Sequence, residues 1–222
     1  MRQLVLDTET SGLDYEKDRI IEIGCLELIN GVFTGEKFHR YYKPDEIIIN
    51  QEAEEIHGLN NSFLSKYSTF DQDINEFLMF FADSQLIIHN AQFDLSMINQ
   101  SLKRLSKPEI SKDKTICTLE MAKKKFPGSK NNLNALCRRF DISLDTRKKH
   151  GALTDSFLLL EVYNELLGGK QQIMKFQMNK KICDDKSRIS IKDKLPKINL
   201  TEDELIKHKR LVKSLKNSYW NI

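Results

Sequence analysis

The segment LVLDTETSGLD (4–14) opens with three apolar residues and continues into a polar stretch with two acids, Asp7 and Glu9. The apolar run predicts a buried β-strand over residues 2–8. Successive side chains of a strand alternate between its faces, so the two acids point the same way, about 6.6 Å apart. Such carboxylates repel each other unless a divalent cation such as Mg²⁺ or Mn²⁺ lies between them. The strand end therefore predicts either a metal site or an acid pair that faces solvent.

Strands and helices are predicted to alternate after this first strand. Two strands, over 19–29 and 32–42, are joined by Asn30-Gly31, a pair typical of hairpin turns. Helical periodicity and two short apolar runs follow. A helical region is predicted over 51–67, helices over 70–82, 91–105, 118–126, 131–140 and 153–167, and short strands over 86–90 and 114–118. The pattern predicts an α/β domain with a mixed β-sheet flanked by helices.

The chain changes character after the last of these helices. Residues 1–169 form the predicted domain, and residues 170–199 are polar and Lys-rich, which predicts a flexible linker. A helix is predicted within 200–222, where Thr201 and Glu204 form a capping box. An apolar stripe beyond a linker is typical of a partner-binding site, unless the helix folds back onto its own domain. The stripe consists of Leu205, Val212, Leu215 and Tyr219, with Trp220 beside it.

The charge of the chain is unevenly distributed. The net charge is +3, but residues 168–222 carry 14 Lys/Arg against 6 Asp/Glu, whereas residues 1–167 carry 21 against 26. An acidic body does not hold nucleic acid through bulk charge. If the body acts on a polyanion, it does so through bound cations or a few placed side chains.

The cysteines and the apolar runs predict the compartment. Four cysteines without CxxC spacing predict free thiols rather than a zinc site, which fits a reducing cytoplasmic location. No run reaches the roughly 18 apolar residues that a membrane span needs. We therefore expect a cytoplasmic protein with no membrane partner.

Two further segments place chemically active residues at the ends of predicted elements. HNAQFD (89–94) brings Asp94 to the junction of a short strand and a helix, and HGALTD (150–155) places His150 five residues before Asp155 at the start of a helix. Taken alone, each segment is also explained by a helix-initiating Asp or a surface His. Together with the first acid pair, they predict functional groups gathered at one edge of the sheet.

DTETSGLD (7–14), HNAQFD (89–94) and HGALTD (150–155), in this order, resemble the three motifs of the DEDDh family of 3′→5′ exonucleases, over about residues 3–167. The resemblance implies an RNase H-like fold and hydrolysis of phosphodiesters with two divalent cations, Mg²⁺ or Mn²⁺. It implies His150 as the general base. The metal ligands that it implies are Asp7, Glu9, Asp94 and Asp155.

The resemblance also implies contacts to the 3′-terminal nucleotide. For three apolar members of the set, Leu13, Ile56 and Phe93, ordinary packing is the alternative. His39 and His89 receive no role. The implied contact residues are Thr8, Thr10, Gly12 and Leu13 in the first motif, Glu52, Ile56 and His57 in QEAEEIHGL (51–59), and Asn90 and Phe93 in the second motif.

QQIMKF (171–176) resembles the sliding-clamp-binding peptides of bacterial replication proteins. An extended peptide of this type inserts apolar side chains, here Met174 and Phe176, into a pocket while Gln171 hydrogen-bonds at its rim. The alternative is an amphipathic extension of the preceding helix.

The predicted C-terminal helix resembles the segment through which proofreading exonucleases dock on the catalytic (alpha) subunit of a bacterial replicative polymerase. The predicted function is therefore proofreading at DNA 3′ ends, with release of nucleoside monophosphates. Two alternatives stay open at this point. One is a free-standing exonuclease of the same family that trims RNA ends, and the other is a non-catalytic adaptor with an exonuclease-like fold.

Overall fold

The structure is a computed structural model, which describes residues 1–145, 147, 149–168 and 201–214. Residues 1–168 contain the sheet and seven of the helices, and a helix over Glu202–Ser214 belongs to a separate unit. The predicted linker and the clamp-like peptide lie outside the described residues.

The sheet has five strands in the order β3-β2-β1-β4-β5. Strand β1 lies in the middle, antiparallel to β2 and parallel to β4, while β3 and β5 form the two edges. The predicted mixed sheet is confirmed. The strands are β1 (Arg2–Thr10), β2 (Ile20–Ile29), β3 (Val32–Tyr41), β4 (Gln85–Ile88) and β5 (Thr115–Cys117).

The hairpin between β2 and β3 turns at the predicted dipeptide. Asn30 and Gly31 both have positive φ, 52° and 79°. Two positive φ values in a two-residue loop match the right-handed twist of the flanking strands, and Asn-Gly adopts them at low cost. The dipeptide thus fixes the pairing of β2 with β3 from local chemistry alone.

Seven helices connect and cover the strands. The helical region predicted over 51–67 consists of two short helices. Gly58 ends the first of them in the left-handed region (φ 76°), where its N–H bonds to the Glu54 carbonyl, and Asn60 caps the second. The helices are α1 (Gln51–His57), α2 (Asn61–Leu64), α3 (Phe70–Phe81), α4 (Ala91–Arg104), α5 (Thr118–Lys125), α6 (Leu133–Arg139) and α7 (Ala152–Leu167).

Strand β1 is buried on both faces because its side chains alternate between two hydrophobic clusters. Leu4 and Leu6 pack with α3 and α4 on one face, and Val5 packs with α6 and α7 on the other. All three are fully buried, and each such side chain contributes roughly 1.5–3 kcal/mol through burial. The strand that carries Asp7 and Glu9 is therefore packed between two layers of helices.

Helix α7 approaches β2 unusually closely at Gly24. A Cβ atom at this glycine would lie 2.4 Å from the backbone carbon of Ala152, so no larger residue fits there. One turn further along, the Ser156 hydroxyl donates a 2.8 Å hydrogen bond to the Gly24 carbonyl. Because Gly24 pairs with Asp7 across the sheet, this contact brings the first turn of α7, with Asp155, to the acid pair.

The helix over Glu202–Ser214, which we label α8, begins with the predicted capping box. The Glu204 carboxylate accepts the Thr201 N–H at 2.9 Å, and the Glu204 N–H donates to the Thr201 hydroxyl at 3.4 Å. Leu205 is 41% exposed, and Val212 is partly buried. The other residues of the predicted apolar stripe, Leu215, Tyr219 and Trp220, lie outside the described residues.

Among the described helices, none combines the length and the apolar character that crossing a bilayer requires.

Candidate active site

The four acids from the three sequence motifs meet at one end of β1. Glu9, Asp94 and Asp155 are more than 90% buried, and Asp7 is partly exposed. Strand β1 supplies the first pair, the first turn of α4 supplies Asp94, and the first turn of α7 supplies Asp155. Carboxylates in the first turn of a helix are favoured by the helix dipole, so each helix accepts its acid at low cost.

Burial and mutual repulsion perturb the acids strongly. Burial, followed by the nearby charges of Asp94, Glu9 and Asp155, raises the pKa of Asp7 well above its ordinary value. Burial and the same kind of repulsion raise the pKa of Glu9 to about 8. Asp94 is shifted by burial to a pKa of about 7. The charges of Asp94 and Asp155 act on both Asp7 and Glu9, so the acids of the three motifs interact electrostatically.

Thr8 anchors Asp94 in this cluster. Its hydroxyl donates a 2.7 Å hydrogen bond to Asp94 Oδ1, and both side chains are buried. The bond favours the ionised carboxylate and offsets part of the pKa increase caused by burial. The resemblance had implied a nucleotide contact for Thr8, and the structure gives its side chain a bond to an acid of the cluster.

Asp155 is bound by an arginine that the sequence analysis missed. The Arg147 guanidinium donates to both carboxylate oxygens of Asp155, with Nε at 2.6 Å from Oδ1. The same guanidinium lies 2.9 Å from Nδ1 of His150 and also bonds the side chain of Asn134. The side chains of Arg147 and Asp155 are only 5% and 4% exposed, so this ion pair is buried.

His150 stands at the edge of the acid cluster with its side chain 42% exposed. Its backbone N–H donates to the carbonyl of Ile56 at 3.1 Å, which ties the segment before α7 to the end of α1. Burial, followed by the positive charge of Arg147, lowers the pKa of the imidazole. The imidazole is therefore neutral at neutral pH.

A cavity of about 270 Å³ opens beside the acids. Leu13 and Ile56 remain 82% and 51% exposed, so the packing alternative does not explain these two apolar side chains. Glu9, Asn50 and Ala53 also line the cavity. The predicted contact residues that it brings together are Thr8, Thr10, Gly12, Leu13, Glu52, Ile56, His57 and Phe93.

Asn90 is the one predicted contact residue that does not line this cavity. It precedes α4 with a positive φ of 62°. It borders two neighbouring grooves, one lined in part by His89 and the other by Tyr15, and Lys123 lies in both. Its prediction rests on the resemblance in the second motif alone.

Glu22 is a further buried acid that the sequence analysis did not single out. It lies directly opposite Glu9 in the pairing of β1 with β2, is 3% exposed, and accepts a 2.8 Å hydrogen bond from Nε2 of His39. Its charge contributes to the raised pKa of Glu9. A charged residue inside the apolar run RIIEIGCLELI (19–29) was the available signal.

The residues at this site fit divalent cations. Donor atoms of Glu9, His150 and Asp155 lie within 4.8 Å of one another. Hard cations prefer carboxylate oxygens, and a cluster of repelling buried carboxylates is stabilised by such ions. The site is therefore an acidic cluster whose donor atoms fit a divalent cation.

The raised pKa values predict an unusual dependence of stability on pH. In the presence of EDTA, the pKa of Glu9 is about 8 in the folded protein and 4.5 in the unfolded chain. The pKa of Asp94 is about 7 in the folded protein and 3.8 in the unfolded chain. The folded state holds the extra protons, so the free energy of unfolding falls as pH rises through this window, by an amount on the order of a few kcal/mol.

Melting temperatures measured from pH 5 to 8.5 in EDTA should therefore decline. In saturating Mg²⁺ the decline should be much smaller, because the cation binds the ionised acids of the folded state. A melting temperature in EDTA that is constant or increases over this range would contradict the coupling of these carboxyl groups.

Comparison with known proteins agrees with this site. Residues 4–163 match the exonuclease family RNase_T. The match covers more than half of the chain, so the chain belongs to this family of exonucleases, and the predicted family and activity class are confirmed. The similar proteins within this family are of one particular kind. The chain is 41% identical over 228 residues to DNA polymerase III subunit epsilon of Rickettsia conorii, with 99% of both chains covered.

Two other relatives are also epsilon subunits of DNA polymerase III. DNA polymerase III subunit epsilon of Buchnera aphidicola subsp. Schizaphis graminum is 40% identical over 231 residues, with 97% of each chain covered. The subunit of Escherichia coli strain K12 is 38% identical over 222 residues, with 93% of this chain and 90% of the relative covered. The similarity therefore extends through the tail as well as the domain.

Solved structures support the fold. Exonuclease X in complex with 5′ overhanging duplex DNA has a TM-score of 0.59 at 23% identity, covering 74% of this chain and 90% of that chain. The zinc-bound exonuclease I–ssDNA complex from E. coli has a TM-score of 0.65 at 18% identity, covering 77% of this chain and 41% of that chain. The predicted RNase H-like exonuclease fold is thus confirmed.

Proposed function

We propose that this chain works as the proofreading 3′→5′ exonuclease subunit, epsilon, of a bacterial DNA polymerase III, in the cytoplasm. The observation that carries the proposal is similarity to epsilon subunits at about 40% identity along nearly the whole chain. A free-standing RNA-trimming enzyme accounts for the domain but not for a similarity that includes the tail. An adaptor does not need four repelling carboxylates.

The proposed metal ligands are Asp7, Glu9, Asp94 and Asp155. Two divalent cations held there, Mg²⁺ or Mn²⁺, supply Lewis acidity for the phosphoryl oxygens and lower the pKa of water. Thr8 keeps Asp94 in place through its 2.7 Å hydrogen bond, and the Gly24 contact keeps Asp155 in place through α7. The fold thus fixes these carboxylates before substrate arrives, which favours catalysis by preorganisation.

We assign the general base to His150. A neutral imidazole accepts the proton of the attacking water, and the lowered pKa of this side chain keeps it neutral at the pH of the cytoplasm. The hydrogen bond from its backbone N–H to Ile56 places the imidazole beside the cavity in which the 3′-terminal nucleotide is proposed to bind. Proton acceptance and nucleotide binding therefore occur at adjoining positions.

The cavity suits an unpaired terminal nucleotide. Leu13 and Ile56 offer exposed apolar surface to a base, and such contacts do not depend on which base is present. A mispaired end separates from its template at lower cost than a paired end. A site that accepts only separated ends therefore selects errors through the energy of melting, with no base-specific readout.

The tail is proposed to connect the exonuclease domain, residues 1–169, to its partners. The apolar stripe of α8 and the residues that follow it within 200–222 would dock on the catalytic subunit, and residues 171–176 would bind the sliding clamp, with 170–199 as the linker. A tether of this kind raises the local concentration of the exonuclease near the primer end.

Truncation tests the docking proposal. A chain that ends at Gly169 lacks the tail, so we expect it to lose capture by the catalytic subunit of the polymerase in a pull-down, while it keeps hydrolysis of single-stranded DNA. Replacing Leu205 by Glu in the full chain is the finer variant, and it should weaken capture at least tenfold because a charge on the docking stripe is desolvated. Equal capture of all three proteins would disprove docking through α8.

A further inference from the structure

Arg147 occupies the position where a cation is required by the proposed mechanism. Its guanidinium donates to both oxygens of Asp155, and the two side chains are almost fully buried. A bidentate Arg–carboxylate pair uses the same lone pairs that a metal ion uses. Arg147 and a cation ligated by Asp155 therefore exclude each other, at least in part.

The same guanidinium also contacts a ring nitrogen of His150. Nη2 of Arg147 lies 2.9 Å from Nδ1, whereas the nearest oxygen of Asp155 lies 3.4 Å from Nδ1. Arginine has only donors, so the shorter contact makes Nδ1 the acceptor. The proton of the neutral ring is then on Nε2, and neither nitrogen has a free lone pair for a water molecule.

We propose that Arg147 is a removable internal cation that couples metal binding to the general base. This inference rests on the proposed two-metal exonuclease and adds a control step to it. When a divalent cation takes the carboxylate of Asp155, the guanidinium leaves it and releases Nδ1 of His150. The imidazole then has a lone pair for the proton of the attacking water, so His150 becomes a base only when the metal ligand is engaged.

The ion pair between Arg147 and Asp155 also adds positive charge to the acid cluster. Arg147 lowers the pKa of both Asp7 and Glu9, against the effects of burial and of the neighbouring carboxylates. Removing one partner of a buried ion pair leaves an uncompensated charge. Arg147 is thus a positioning residue, and its loss has opposite effects on the stability of the protein and on its affinity for metal.

The experiment measures the affinity of Arg147→Gln and of the wild type for Mn²⁺. Each protein is titrated with Mn²⁺ alone, and binding is monitored by calorimetry or electron paramagnetic resonance. We expect the variant to bind Mn²⁺ about tenfold more tightly, because a competing positive charge is gone. Its melting temperature in EDTA should fall, and the increase on adding Mn²⁺ should exceed that of the wild type. Arg138→Gln removes an exposed charge nearby and should change the affinity less than twofold.

The direction of the change separates this role from a structural one. A structural arginine would leave the variant with weaker Mn²⁺ binding, and unchanged or weaker binding overturns the proposal. If wild-type protein neither binds Mn²⁺ nor degrades DNA, the proposed exonuclease itself fails. If the wild type does both and only the gain in affinity of the variant is missing, the proposed role of Arg147 alone is disproved.

A second measurement needs no variant. Long-range ¹H–¹⁵N correlation spectra of the wild type should show the Nε2–H tautomer of His150 in EDTA. Saturating Mg²⁺ should change the Nδ1 shift as Arg147 departs. A ring that carries its proton on Nδ1 in EDTA, or that is unaffected by Mg²⁺, would contradict the proposal.

Discussion

Replacing Asp7 by Ala is expected to lower the rate of 3′-terminal hydrolysis by about 10³-fold or more, while the protein stays folded. Losing one ligand shared within a metal cluster removes several kcal/mol of stabilisation from the transition state, and each 1.36 kcal/mol is about tenfold in rate. Folding should not suffer, because burial and then the neighbouring carboxylates disfavour the ionised side chain of Asp7, which raises its pKa. Its melting temperature in EDTA should equal or exceed that of the wild type.

The measurement is release of nucleoside monophosphates from a primer–template with a mispaired 3′ end, in saturating Mg²⁺. Asp14→Ala is the matched control, since Asp14 lies in the same motif but is exposed, and its carboxylate accepts from the backbone N–H of Glu16 and pairs with Lys17. The control should keep wild-type rates. Substantial activity of the Asp7 variant would remove this residue, and with it the assignment of the first motif, from the metal site.

Replacing His150 by Gln should lower kcat by about 10²- to 10⁴-fold, the usual contribution of a general base. Glutamine keeps the polarity and much of the volume of histidine but accepts no proton from water. The acid limb of the pH–rate profile should disappear in the variant. In the wild type this limb should lie below the ordinary histidine value of about 6.5, because burial lowers the pKa of the imidazole.

Affinity for Mn²⁺ separates this chemical role from metal ligation. The donor atoms of His150, Glu9 and Asp155 are close enough to share an ion. If His150 is a base and not a ligand, its replacement should change the affinity for Mn²⁺ by no more than a few fold. If it is a ligand, the affinity should fall by more than that. Lys149→Gln tests disturbance of the same segment and should retain activity. An unchanged acid limb in the His150 variant would exclude it as the base.

Most of the architecture follows from local chemistry that is visible in the sequence. The apolar run of β1, the Asn30-Gly31 turn and the capping box at Thr201 each determine a structure over a few residues. The family motifs add the fold, because three ordered motifs are specific. The division of the helical region 51–67 into two helices has a local cause as well, since Gly58 ends α1 in a left-handed conformation that periodicity does not reveal.

The residues that the sequence analysis missed depend on tertiary proximity. Arg147 lies in a charged stretch, DTRKKH (145–150), where a solvated role is the natural interpretation. Its bond to Asp155 exists only because α7 and the preceding segment fold back on each other. Glu22 meets Glu9 through pairing of β1 with β2, which no local pattern specifies. Long-range electrostatics therefore had to come from the structure.

Because β1 is buried on both faces, the strand should be more rigid than the segment that carries Arg147 and His150. This strand has neighbours on both sides and a hydrophobic cluster on each face, so its amides should exchange with solvent only when the whole domain opens. His150 and Arg147 lie outside helices and strands, with fewer such restraints. Asp7 and Glu9 thus lie on a rigid strand, and we expect adjustment to each successive nucleotide to fall to the segment that carries the imidazole.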